Sequence, residues 1–195
     1  MAIGMQPRMI PAVLSMLALS GCLGTQRSWN ASYAEAPEAV MSADLGGTIS
    51  VSIEGRLWIS KSPDAAQLAN AQRRGVSHVI DLCRPSRLAD KELAAECVIQ
   101  NISYQPLNRE ESAHVSDPLV DALMNVLRER RGESILLVGE DMSTVASLLA
   151  VHRTVNEGVR LHVAIAEARL CGMNSNEAET FVRRHAVRLR NPLGS

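Results

Sequence analysis

An α/β fold, with a mostly parallel central sheet flanked by helices, is predicted by three observations. Segments of strand and helix character alternate through the middle of the chain. Ser134–Val138 (Ser-Ile-Leu-Leu-Val) is its most strongly apolar short run, the pattern of a strand buried on both faces. Helix starts at Ser62-Pro63 and Ser116-Asp117-Pro118 and stops at Gly75 and Gly158 separate these segments.

Taken in order, Ile49, Val51 and Ile53 alternate with period two, and Leu57-Trp58-Ile59 follows Glu54-Gly55, which predicts a hairpin. Ser62 as N-cap and Pro63 at the first helical position open a helix to about Arg74. Val76–Leu82 is a strand ending at the Cys83-Arg84-Pro85-Ser86 turn, Leu88–Ile99 is helical in composition, and Ile102–Leu107 is a short strand. After the Ser116 cap, Leu119, Leu123, Val126 and Leu127 form the apolar stripe of a helix. Arg128, Arg130 and Arg131 at its end suit the negative pole of the helix dipole and read as a solvated face. A loop from Gly139 to Met142 leads from the central strand into a helix over Ser143–Asn156. Helices over Leu161–Cys171 and Ser175–Arg188 close the chain, and parallel connections are expected to be right-handed.

Composition narrows the function classes. The chain has 195 residues, 46% apolar and 21% charged, with a net charge of −1. That balance gives no general attraction to nucleic acid, and the apolar share is too high for wholesale disorder. Only Trp29, Trp58, Tyr33, Tyr104 and Phe181 are aromatic, so the core must be built from Leu, Val, Ile, Ala and Met. Four cysteines are too few for a disulfide scaffold. His78, His114, His152, His162 and His185 stand singly, so neither a metal nor a cofactor is expected.

The start of the chain belongs to no core. Met1–Gly21 has no acidic residue and one base, Arg8, before an apolar run from Met9 to Leu19. The run is too short to span a bilayer, which takes ~20 residues, and fits the 7–15 residues typical of a secretory signal. Leu19-Ser20-Gly21-Cys22 resembles the bacterial lipobox, which implies cleavage before Cys22 and lipidation of its thiol. The alternative is an ordinary cleaved signal followed by a chance cysteine. Leu23 is not the Asp that retains many lipoproteins in the inner membrane, so an outer-membrane lipoprotein facing the periplasm is the expected location. The expected organisation is a signal over 1–21, Cys22 with a flexible tether over 22–47, and one domain over 48–190. The mature chain keeps Cys83, Cys97 and Cys171, an odd number that leaves at least one thiol unpaired.

Four stretches carry a resemblance. They are Leu57–Pro63 with Gln67-Leu68 and Arg74-Gly75-Val76; Val79-Ile80-Asp81-Leu82 with Arg84-Pro85; Ile102–Leu107; and Glu157-Gly158 with Ala164–Gly172. Their order and spacing resemble the cysteine-dependent phosphatases, which include the tyrosine and dual-specificity enzymes. The nearest branch is that of the small bacterial beta-lactamase-hydrolase-like phosphatases. The resemblance implies a single three-layer domain and places the decisive loop at Val138–Arg153. In that branch the central strand ends in a nucleophilic cysteine, and an arginine follows after four residues. The helix N-terminus and the arginine lower the thiol's pKa, and the loop amides and arginine hold the phosphate.

The nucleophile's place falls on Gly139 and the arginine's on Thr144, with Glu140, Asp141, Met142 and Ser143 between them. Thiolate and cation are absent, and two carboxylates stand in the loop. Two like charges ~4 Å apart cost about 4 kcal/mol at an effective dielectric of 20, against ~1.5–3 kcal/mol for one charged hydrogen bond. The loop is therefore expected to reject a phosphate dianion, and no catalytic residue is assigned to it. Cys83-Arg84-Pro85-Ser86-Arg87 offers a displaced nucleophile, but it lacks glycine, and Pro85 removes an amide. Glu110, Glu111, His114 and Asp117 lie where relatives place a general acid; without a nucleophile they read as a polar loop and cap. Glu140 and Asp141 could hold a divalent cation, although capping of the next helix by Asp141 and Ser143 explains them without one. The expectation is a membrane-attached, non-catalytic phosphatase-like module that binds or regulates a protein partner. A scaffold role in the envelope, or a phosphatase working through a displaced site, is the alternative.

Overall fold

The computed structural model of the chain describes residues 40–44, 49–84, 88–107 and 115–191. Strands and helices follow in the order β1 (Val40–Asp44), β2 (Ile49–Ile53), β3 (Leu57–Ser60), α1 (Ala65–Arg73), β4 (His78–Asp81), α2 (Leu88–Ile99), β5 (Ser103–Pro106), α3 (Asp117–Glu129), β6 (Ile135–Val138), α4 (Met142–Val155), α5 (Leu161–Leu170) and α6 (Asn176–Arg190). One sheet runs β1-β2-β3-β6-β4-β5. Strands β3, β6, β4 and β5 are parallel, and β1 and β2 add an antiparallel edge.

The apolar run at 135–138 forms the middle strand. Leu57 and His78 both register against Ile135, so β6 has a parallel neighbour on each side. Its side chains alternate between two cores. Ile135 and Leu137 join Leu123, Leu127, Leu148 and Val182 on the α3–α6 face. Leu136 and Val138 join Trp58, Leu68, Val79 and Leu93 on the α1–α2 face. All four are no more than 1% exposed, which is why this segment shows no alternation in sequence. The chain steps outward through α1 and α2 on one face, then returns through α3 on the other. Right-handed crossovers require that change of face when the direction of travel reverses. The carboxyl end of β6 therefore lies where connections diverge, the position at which open α/β sheets form a crevice.

Glu54 and Gly55 both have positive φ (52° and 66°) and with Arg56 turn β2 into β3, the hairpin that the sequence predicts, with Ile53 registered against Leu57. Four expectations change. The tether read over 22–47 is shorter at its carboxyl end, because Val40–Asp44 is strand β1, paired with Ile49–Ile53. A strand at a sheet edge draws its partner from elsewhere in the chain and needs no strong pattern of its own. Residues 1–39, including Cys22, lie outside the described residues. Helix α1 is capped by Asp64 rather than Ser62. Ser62 has φ 45°, whereas Asp64 is extended and exchanges hydrogen bonds with Gln67 in a capping box. Ser116 precedes α3 without a side-chain cap bond, and Arg130 is no solvated residue, since its guanidinium meets His78, Glu133 and Gln105. No helix among the described residues is long and apolar enough to cross a membrane.

Helix α6 packs on α4, and its His185, fully buried beside Phe181, faces Asp117 of α3. Burial lowers its pKa, Arg184 and Arg188 lower it further, and Asp117 and Asp121 oppose them. A histidine whose folded pKa is depressed adds stability above its unfolded value and loses it as pH falls. Stability is expected to decline as pH drops below about 6.5, and His185→Gln should flatten that part of a pH series of thermal melts.

Candidate functional site

Strands β3 and β4 hold the loop after β6 from both sides. Gly139 donates its N–H to the Ser60 carbonyl (3.3 Å), and Leu82 donates to the Val138 carbonyl (2.8 Å). Gly139 is glycine for reasons of space: a Cβ there would lie 2.4 Å from Cγ2 of Val145. The Val145 side chain, 1% exposed, closes over the backbone at the strand's end.

Asp141 caps α4. Its carboxylate accepts the Ser143 N–H (3.2 Å), the Thr144 N–H (2.9 Å) and the Thr144 hydroxyl (2.7 Å). An internal anion thus occupies the first free amides of the helix, where the dipole favours negative charge. Glu140 turns the other way and accepts the Arg84 backbone N–H (3.3 Å), with the Arg84 Nε at 4.0 Å. Met142 packs against the α3–α6 core, and its Cβ lies 3.4 Å from where a Cβ on Gly172 would stand. Beside the loop, Asp81 accepts the Cys83 N–H (2.8 Å) and the Tyr104 hydroxyl (2.7 Å).

The sequence matches no protein-family model and no curated protein. Solved structures do match. A cysteine-to-serine variant of TpbA from P. aeruginosa, in complex with pTyr, superposes with a TM-score of 0.62 at 18% identity, covering 80% of this chain and 99% of that one. A protein assigned as a phosphatase (DUF442) from Shewanella putrefaciens gives 0.58 at 13% identity, over 80% and 92%. One assigned as a phosphatase from Neisseria meningitidis gives 0.54 at 15%, over 67% and 93%. The fold is that of the protein tyrosine phosphatases.

In this phosphatase fold the six loop residues Gly139–Thr144 stand together at the end of the central strand. Of the other expected residues that are described, Arg84 meets the loop at Glu140, while Cys83 and Asp117 lie elsewhere. Cys83 is buried on the α1–α2 face and borders a cavity of about 390 Å³ that Asp64, Glu92 and Glu96 also line. Cys97 and Cys171 are buried too, which pushes their thiols up to about 11 and about 12. Among the described residues none of these three cysteines forms a disulfide. Glu110, Glu111 and His114 lie outside the described residues, and Asp117 starts α3, where it faces His185 (3.6 Å) and Arg188 (3.8 Å).

Sequence reasoning missed the ionic hub that fixes the site's main helix. Arg153, 4% exposed, points two guanidinium nitrogens at both carboxylate oxygens of Glu167 on α5 (2.9 and 3.0 Å). The third nitrogen meets Glu54 of the β2–β3 turn (2.9 Å) and Glu157. Burial opposes the charge on Glu157, yet hydrogen bonds from His152 and Arg153 take its carboxyl down to about 2. The only local signal was Arg153 followed by Glu157 at i+4, a spacing also common on solvated faces. Between the starts of α4 and α6 the phosphatase fold leaves an open cleft of about 710 Å³, bordered by Asp141, Thr144, Ser147, Asn176, Phe181 and Arg184.

Proposed function

We infer that this chain is a lipid-anchored envelope protein whose phosphatase fold serves as a non-catalytic binding or regulatory module. The observation that carries this reading is the closed loop: no thiol stands at the strand's end, and Val145 fills the space that a side chain at 139 would need. Two further facts support it. The α4 amides already hold the Asp141 carboxylate, and Thr144 offers no guanidinium to a phosphate. The buried, protonated thiols of Cys97 and Cys171 make poor nucleophiles, and the carboxylates around Cys83 disfavour an anionic substrate. Cys22 supplies the membrane attachment, facing the periplasm.

Two measurements test this. The full chain, incubated with p-nitrophenyl phosphate, should release nitrophenol no faster than buffer. Turnover that survives Cys83→Ser would overturn the non-catalytic reading. Cells fed labelled palmitate should label the protein, and Cys22→Ser should abolish the label; labelling that persists removes the anchor from the proposal.

A further inference from the structure

We propose that the edge at which the parallel strands begin is a docking surface for the anionic phospholipid headgroups of the membrane that holds Cys22. This goes beyond the non-catalytic reading and rests on Cys22 as the lipid anchor. Leu57, Ile135, His78 and Ser103 stand in register across the four parallel strands, so the segments that precede them share one end of the domain. That end holds Arg73 and Arg74 where α1 stops, Arg128 and Arg131 where α3 stops, and Val98 and Ile99 where α2 stops.

All four of these arginines are exposed. The carboxylates of Glu54, Glu133 and Glu157 at the same end are taken up by Arg56, Arg130 and Arg153. Arg73, Arg128 and Arg131 meet no carboxylate among the described residues; Arg73 and Arg128 hydrogen-bond the neutral side chains of Asn70 and Asn125. Arg74 lies over the Trp58 ring, 5.9 Å from its centroid. Against the four stands the exposed Glu129. The negative poles of α1, α2 and α3, about half a charge each, offset part of this surplus without cancelling it. The opposite end, where the parallel strands finish, reverses the balance, with Asp64, Glu140 and Asp141 against Lys61 and Arg84 among the described residues.

Charge alone would suit an acidic protein as well, and two observations favour the bilayer. Val98 and Ile99, 77% and 71% exposed, are the most exposed large apolar side chains among the described residues. Apolar side chains beside arginines match a headgroup layer, in which the former enter the acyl boundary and the latter stay at the phosphates. The chain also enters the sheet at this end, since Val40 registers against Ile53 and Ile53 against Leu57. Residues 23–39 separate Val40 from Cys22, a length that spans at most roughly 60 Å. A domain anchored through Cys22 therefore meets the surface at high effective concentration.

Arginine footprinting with phenylglyoxal tests this on the protein purified from cell membranes and reconstituted in vesicles through its own anchor. On vesicles of equal parts phosphatidylglycerol and phosphatidylcholine, modification of Arg73, Arg128 and Arg131 should be at least three-fold slower than on phosphatidylcholine alone. Arg183 and Arg184, exposed midway along α6, should react equally on both. Salt at about 500 mM NaCl should remove the protection. Val98→Ser/Ile99→Ser and Arg128→Gln/Arg131→Gln should each reduce the protection of Arg73 about two-fold. Equal reactivity of the three arginines on both kinds of vesicle overturns the inference, as does equal slowing at Arg183 and Arg184. Protection of the detergent-solubilised protein by polyglutamate, without protection on the anionic vesicles, assigns the edge to an acidic protein and overturns it too. A protein that takes no palmitate label overturns the anchor and this proposal with it, whereas a labelled protein whose arginines stay unprotected overturns the docking surface alone.

Discussion

Arg153→Met is expected to destabilise the fold by about 3–5 kcal/mol, lowering Tm by roughly 10 °C or more in a thermal melt. The substitution keeps most of the side chain's volume and removes the charge. It leaves Glu167, 2% exposed, and the half-buried Glu157 without the cation that holds both. A buried ion pair is a poor net source of stability, but one member left alone costs its full desolvation. Arg153→Met/Glu167→Leu should therefore be more stable than Arg153→Met alone, and a double-mutant cycle gives the coupling. A double variant no better than the single one would show that the guanidinium acts by packing, not charge. Acid provides a second readout. Glu157 titrates near 2 when folded and near 4.5 when free, so its contribution is complete above 4.5 and is lost as pH falls towards 2. Arg153→Met should make the profile shallower in that window, with His152 still holding part of the effect.

Gly139→Ala, a change of one methyl group, is expected to cost about 1–3 kcal/mol. The new Cβ falls 2.4 Å from Val145 Cγ2, and a β-branched side chain packed in a helix has few rotamers to yield with. Val145→Ala alone opens a cavity and costs about 2 kcal/mol. Combined, the two should cost at least 1 kcal/mol less than their sum, because the deleted methyl is the one in the way. Strict additivity would mean that the loop relieves the contact by moving. The same contact governs any attempt to rebuild a catalytic loop. Gly139→Cys/Thr144→Arg should remain inactive and less stable than the wild type. Adding Val145→Ala should restore stability, with Asp141 still covering the amides that a phosphate needs.

These two effects mark where sequence reading stops. Alternation in 49–53, the Glu54-Gly55 turn, the uniform run at 135–138 and the apolar stripe of α3 are properties of neighbours in the chain, so periodicity alone exposes them. Asp141 ahead of α4 is also local, since a cap reaches only three residues on. The start of α1 is local as well, yet choosing Asp64 over Ser62 depended on backbone angles that residue types do not specify. Strand β1 carried no signal because its pairing is supplied by β2.

By itself the sequence determined the order of elements from β2 onward, the central strand and the residue types in the loop: glycine and threonine, with two acids, where chemistry would ask for cysteine and arginine. Only the tertiary structure decided that Val145 seals that glycine and that Glu167 and Glu54 converge on Arg153. The physical reason is range. Secondary structure follows from periods of two and 3.6 along the chain, whereas closure and burial of charge depend on which distant groups packing brings within a few ångströms.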